Sequence, residues 1–266
     1  MRVFLGFGFW DLGFDVIRLS VNVNKVATLR NSRGGRVPSV LDAVYVCLRA
    51  GVHGITVHPR ADARHITPSD VHDIASTLQR TKPDVEYNIE GDPRPELIDL
   101  VRDVRPDQCT LVPVQPGEIT SQAGWRPGPS TDTIADVIGA FKSQGVRVSL
   151  FVDAEAEPVR WAASVGADRV ELYTEPFARA FQTGGAAAEQ SFARYVEAAR
   201  LAHSLGLGVN AGHDLDLANL VLFRRLPHLD EVSIGHAIVS RALMVGLETA
   251  VREYRNVLAA ARETPA

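Results

Sequence analysis

The feature that most constrains this chain is a repeated punctuation: a helix-like segment closes on glycine or proline, and a short β-branched run follows. Gly51 precedes Ile55–Val57, Gly145 precedes Val146–Val152, Gly166 precedes Arg169–Leu172, and Gly206 or Gly208 precedes Val209. Just past a helix end, glycine takes the left-handed cap conformation without a steric penalty. Pro83 before Val85–Ile89, Pro106 before Cys109–Val112 and Pro227 before Val232–Ile234 mark the same boundary, because proline cannot continue a helix. With Leu19–Val23 at the front, the strand candidates are 19–23, 54–58, 85–90, 108–112, 146–152, 168–173, 207–211 and 231–235. Each run reads as nearly continuous in apolar residues, the pattern of parallel strands buried on both faces.

Between the runs lie amphipathic segments that predict helices over 40–49, 68–80, 95–104, 131–143, 155–165, 186–204 and 215–225. A last stripe runs through Ile238, Leu243, Leu247, Val251, Tyr254 and Leu258. Eight strand-then-helix units in 266 residues predict an α/β chain folded as a (β/α)₈ TIM barrel. An open doubly wound sheet is the second choice, weakened because no Gly-x-Gly-x-x-Gly follows the first strand. Residues 18–266 read as a single barrel domain and 1–17 as an N-terminal extension. That extension carries an apolar run, but Asp11 and Asp15 interrupt it and no small-x-small cleavage site follows, so it does not read as a secretory signal.

Composition removes several functions. No stretch approaches ~18 uninterrupted apolar residues, which argues against a membrane partner. A net charge of −4 gives no general attraction to nucleic acid or anionic lipid, so any anion must be held in a local pocket. Cys47 and Cys109 show neither a CxxC nor a zinc spacing and suit a reducing, cytoplasmic compartment.

A barrel should gather reactive residues at the carboxyl ends of its strands. The first run ends Asn22-Val-Asn24-Lys25, the second His58-Pro-Arg60 with His65 beyond, and the third Asn88-Ile-Glu90. The fifth ends at Asp153, the sixth carries Glu171, the seventh ends Gly212-His213-Asp214 and the eighth Gly235-His236. Singly, a strand-end histidine is more often a packing residue. Four together, with Glu90 and Glu171 inside the same mouth, point to acid–base chemistry, because a carboxyl projecting into a barrel must be paired or lose its charge. His53, His72, His203 and His228 fall in helices or in turns at the opposite end. Gly212-His213 and Gly235-His236 follow strands seven and eight, the usual phosphate position of this fold. Arg30 and Arg33 in the first loop, with Arg60 in the second, offer guanidinium forks for a second phosphate, whereas Arg64 reads as a solvated surface residue. Stretches 31–38, 114–130 and 174–185 read as irregular loops on the same rim and as candidate lids.

With those residues placed, the chain resembles the pyridoxine 5′-phosphate synthase family. The resemblance rests on VNxxxxATLRNxRG at Val21–Gly34, GITVHxRxDxRHIT at Gly54–Thr67, NxE at Asn88–Glu90, LVP at Leu111–Pro113 with Thr120 following, VSLFxD at Val148–Asp153, VNAGH at Val209–His213 and IGHAI at Ile234–Ile238. It implies a (β/α)₈ barrel with extra helices, a homo-octamer working without metal or organic cofactor. The implied reaction condenses two phosphorylated small molecules, 3-amino-2-oxopropyl phosphate and 1-deoxy-D-xylulose 5-phosphate, into pyridoxine 5′-phosphate, phosphate and water. By the same resemblance Glu90 and His58 are acid–base groups, His213 a proton relay and Glu171 a stabiliser of developing charge. Arg60, His65 and Thr120 would hold the deoxyxylulose phosphate, and Asn22, Arg33, Gly235 and His236 the amino-ketone phosphate.

The chain departs from the family pattern at three places. Asn24-Lys25 stands where Asp-His is common, Asp214 where a glycine is often found, and Glu175 where a small residue is usual. Asn24, Lys25 and Asp214 are expected to contact substrate all the same. Two other readings compete: a metal-dependent hydrolase or isomerase using the rim histidines, and a non-catalytic phosphate-binding barrel. No His-x-His occurs and arginines crowd the histidines, which disfavours the first.

Overall fold

The computed structural model of the chain describes residues 16–114 and 121–260. Eight parallel strands close into a barrel in chain order: β1 (Arg18–Asn22), β2 (Gly54–Val57), β3 (Glu86–Gly91), β4 (Gln108–Leu111), β5 (Arg147–Val152), β6 (Arg169–Tyr173), β7 (Gly208–Gly212) and β8 (Leu229–Ile234). Closure is made by β8 against β1, with Val232 opposite Leu19 and Ile234 opposite Val21. The helices are α1 (Asn24–Asn31), α2 (Val40–Ala50), α3 (Pro68–Thr81), α4 (Pro95–Val104), α5 (Thr131–Lys142), α6 (Ala156–Ser164), α7 (Glu175–Thr183), α8 (Gly185–Ser204), α9 (Leu220–Phe223), α10 (His236–Val245) and α11 (Leu247–Ala259). The helix punctuation behaves as its chemistry requires. Gly51 caps α2 in the left-handed region at φ 80°, and Thr67 with Asp70 forms a reciprocal capping box at the start of α3.

The strands are not apolar on both faces, contrary to the sequence expectation. They alternate. Leu19, Val21, Ile55, Val57, Ile89, Leu111, Val148, Leu150, Val170, Leu172, Val209, Val232 and Ile234 join the helices in one hydrophobic shell outside the barrel. The intervening residues point inward and are largely polar. Ser20 and Thr56 share a hydrogen bond of 2.7 Å, and Thr110 donates to Asn88 at 3.1 Å. Towards the amino-terminal end, Glu86 receives both Arg18 (3.0 Å) and Arg147 (2.6 Å), while Arg169 donates to Asn210 at 2.8 Å. The core of this barrel therefore lies between sheet and helices. The interior is a polar well in which many groups pair with one another, while a few buried atoms, among them Ser149 Oγ and Asn210 Nδ2, have no hydrogen-bond partner among the described residues.

Three helix expectations need correction. Most of the stretch 174–185 is α7, started by Pro176 in its first turn and held by Phe177, which is fully buried. The helix expected over 215–225 shrinks to α9. Asp216 accepts from the backbone N–H groups of Ala218 and Asn219 while the Asn219 side chain accepts from the N–H of Asp216, so side chains take up donors that a longer helix would use. The final stripe is two helices, broken at Gly246 with φ 83°. Ile17, assigned from sequence to the extension, is buried in the barrel's shell, and the rest of that extension up to residue 15 lies outside the described residues. Among the described residues no helix is long and apolar enough to cross a membrane.

Candidate active site

The carboxyl ends of the strands surround a cavity of about 500 Å³. Asn22, Asn24 and Lys25 enter it from the end of β1, His58, Arg60 and His65 from the end of β2, and Glu90 from β3. Glu171 on β6, His213 and Asp214 after β7, and Gly235 and His236 after β8 complete the ring. Residues scattered over more than two hundred positions thus meet in one well. Two expected members do not join them. Arg33 sits on the exposed turn after α1, away from the cavity, and Thr120 lies outside the described residues.

Glu90 occupies the centre. Its Oε2 lies 3.7 Å from His58 Nδ1 and accepts from Asn22 Nδ2 at 3.4 Å, while Oε1 accepts from Ser233 Oγ at 3.5 Å across the barrel. Burial pushes the Glu90 carboxyl up to about 8, a rise opposed by the Ser233 hydroxyl and assisted by the charge of Glu231. Burial likewise pushes His58 down to about 3, with His65, Arg60 and Arg94 adding to the fall. Desolvation penalises the charged form of either group, so at neutral pH the contact is a carboxylic acid beside a neutral imidazole, not an ion pair. The His58 Nε2 is buried and has no hydrogen-bond partner among the described residues. Glu171 is raised well above the ordinary carboxylate range by burial and then by Glu90. Two buried carboxyls sharing a well cannot both ionise cheaply, so they titrate as a unit.

Local structure explains how these side chains are held. Asn24 is a clamp: its backbone N–H donates to Asn22 Oδ1 at 3.0 Å and its Oδ1 accepts from the backbone N–H of His58 at 2.9 Å. A Cβ at Gly212 would collide with the Glu171 carboxyl, so only glycine leaves that acid its place. A Cβ at Gly235 would meet the Asn22 carbonyl oxygen at 2.9 Å. Gly235 also precedes α10, whose first-turn N–H groups lack intrahelical partners and whose dipole favours an anion beside His236 and Ala237. Further round the rim, after β1 and β2, Lys25, Arg60 and Arg64 line the cavity, and His65 is pushed down to about 4 by burial, with Arg60 and Lys25 adding to the fall.

Arg30, a candidate phosphate ligand by sequence, is used otherwise. Its guanidinium grips Asp70 (Nη2 to Oδ2, 2.9 Å) and donates to the His65 carbonyl at 3.2 Å, tying α1 to α3. Among the described residues no three of His, Cys, Asp and Glu converge as a metal ion would require.

Comparison with known proteins bears on the same residues. Positions 19–260 match the family described as pyridoxal phosphate biosynthesis protein PdxJ. A pyridoxine 5′-phosphate synthase of Porphyromonas gingivalis is 52% identical over 243 residues, covering 91% of this chain and 99% of that protein. The synthase of Leptospira biflexa serovar Patoc is 48% identical over 257 residues, covering 93% and 99%. The chain belongs to the PdxJ family. Among solved structures, phosphoribosyl anthranilate isomerase from Thermotoga maritima is similar with a TM-score of 0.59 at 12% identity, covering 91% of this chain and 98% of that one. That likeness extends to the barrel fold alone.

This PdxJ-family site also contains residues that strand-end reading passed over. Ser233 and Phe151 share the inward parity of Asn22 and Glu90 on their strands, so period-two alternation would have found them. Thr28 lines the cavity one helical turn beyond Asn24, a position visible only once α1 is known to start there.

Proposed function

We propose that this chain is a pyridoxine 5′-phosphate synthase, joining 3-amino-2-oxopropyl phosphate to 1-deoxy-D-xylulose 5-phosphate by acid–base catalysis, as a homo-octamer in the cytoplasm. The observation that carries the reading is the neutral Glu90–His58 pair at the centre of the well, a proton donor and a proton acceptor 3.7 Å apart. Amine attack on a ketone needs a base for the nitrogen's proton and an acid for the carbonyl oxygen. The neutral His58 imidazole has one ring nitrogen free to accept a proton, and the protonated Glu90 carboxyl supplies the acid.

The remaining steps are phosphate elimination, ring closure and dehydration, each a further proton transfer. Glu171, protonated beside Glu90, donates hydrogen bonds to oxygens that gain charge, and His213 at the rim passes protons to and from the well. Two separate anion-binding groups suit two phosphates: Arg60 and His65 after β2, and the α10 N-terminus with Gly235 and His236 after β8. Both cysteines are free and buried, which suits a reducing cytoplasm. The test is to mix both phosphorylated substrates with the protein and follow pyridoxine 5′-phosphate and released phosphate. Intact binding of both with no product at neutral pH would sink the proposal in favour of a non-catalytic phosphate-binding barrel.

A further inference from the structure

We infer that Asp214 is a positioning residue for His213, fixing its tautomer and ring orientation so that Nε2 presents a lone pair to the cavity. The contact is Nδ1 to Oδ2 at 2.9 Å between neighbours in sequence. Adjacent side chains on an extended strand point to opposite faces, so this meeting requires a special backbone. It has one: His213 at φ 85° and Asp214 at φ 61° are successive non-glycine residues in the left-handed region. Such residues cost the fold roughly 1–3 kcal/mol each and persist only where their surroundings over-determine them.

The surroundings do so. Thr174 Oγ1 donates to the carbonyl oxygens of Gly212 (2.7 Å) and His213, and Asn219 Nδ2 donates to the carbonyl of Asp214 at 3.0 Å. The Tyr173 ring packs edge-on against the His213 imidazole, with centroids 5.0 Å apart at 82°. The hydrogen bond to His213 holds the Asp214 carboxyl below the usual range, with the charges of His213, His236 and Lys25 assisting. An ionised carboxylate only accepts, so the Nδ1 of a neutral imidazole facing it must carry the hydrogen, and Nε2 is left as the acceptor. When His213 takes up a proton, the carboxylate already in place offsets the charge without reorganisation. Lys25, lining the same cavity, is the counter-charge that keeps Asp214 from repelling a phosphorylated substrate.

The kinetic consequence rests on the synthase reading, whereas the tautomer does not, so the two can fail separately. Long-range ¹H–¹⁵N correlation spectra of the substrate-free protein, with His213 assigned by its loss in His213→Gln, should show the Nδ1–H tautomer. Asp214→Asn should turn it into a mixture, and in the assay should lower kcat about 10- to 100-fold while leaving KM for either substrate within about twofold. Asp214→Glu should recover most of that loss. Asp214→Gly relieves the backbone at φ 61° and therefore folds readily, yet should lose activity like the asparagine variant. The inference is overturned if the His213 tautomer is the same with and without the carboxylate. It is equally overturned if the variants raise only KM for the amine substrate, which would make Asp214 a substrate contact.

Discussion

Replacing Glu90 with glutamine should make the fold more stable in alkaline solution. Burial raises this carboxyl from its ordinary 4.5 to about 8, so the folded chain holds the proton more tightly than the unfolded chain does. Below pH 4.5 both states are protonated and the group has no effect on stability. Between 4.5 and about 8 the unfolded chain ionises while the folded chain does not, and stability falls by ~1.4 kcal/mol per pH unit. Above that window both states are ionised and the loss stays constant. Integrated from about pH 5 to about pH 8, the loss is roughly 3 kcal/mol, a sizeable part of the ~5–15 kcal/mol that holds an ordinary protein folded. Glutamine keeps the shape and does not titrate. Glu231 remains buried in both proteins, so its slope largely cancels when the two are compared at each pH, while Glu171, which titrates together with Glu90, contributes to the difference with the same sign of pH dependence. Urea unfolding of both proteins across that pH range gives the free energies directly. The Glu90→Gln protein should gain roughly 3 kcal/mol on the native protein between the two ends. A difference that stays flat with pH would refute a tightly held proton on Glu90.

Three further outcomes are expected. Turnover should decline as pH rises through about 8, where the Glu90 acid loses its proton, and Glu90→Gln should remove turnover by about 10²- to 10⁴-fold with its substrates still bound; near-normal rates would exclude Glu90 as the acid. Lys25→Ala should raise KM without affecting covalent chemistry, and a borohydride-stable adduct on Lys25 in the native protein would overturn that assignment in favour of a Schiff base. Arg30→Met should destabilise the fold by about 1.5–3 kcal/mol, because it leaves the mostly buried Asp70 with only its hydrogen bonds from Thr67, yet leave KM unchanged. A rise in KM with stability intact would restore Arg30 as a phosphate ligand.

Much of the scaffold could be read from residues taken in order. Gly51, Gly145, Gly166 and Gly206 all take positive φ where the punctuation placed helix ends. The strand ends, and therefore Asn22, His58, Glu90, Glu171, His213 and His236, followed from those boundaries. A reading of the strand runs as nearly continuous in apolar residues passes over Ser20, Thr56, Asn88 and Thr110. They are the inward half of a strict alternation, tolerated because each finds a partner on a neighbouring strand. Helix α7 is hard to see in the sequence for a related reason: its apolar stripe, Phe177 and Phe181, is short and makes sense only against Phe192, Tyr195 and Phe223 from elsewhere in the chain.

By itself, then, the order of residues determined the eight units, their sequence around the barrel and the rim on which reactive groups gather, because glycine, proline and hydrophobic period act within a few residues of themselves. Only the tertiary structure decided what those groups are at neutral pH and which of them work together. Glu90 holds its proton because water is excluded by strands that start and end far away, and because the charge of Glu231 on β8 disfavours a second anion, against the opposing pull of the Ser233 hydroxyl. Arg30 is withdrawn from ligand binding by Asp70, forty positions on. Even the neighbours His213 and Asp214 meet only because Thr174 and Asn219 hold their backbone in a conformation that neither residue favours alone. Desolvation and charge act through space, and that space exists only once the barrel has closed.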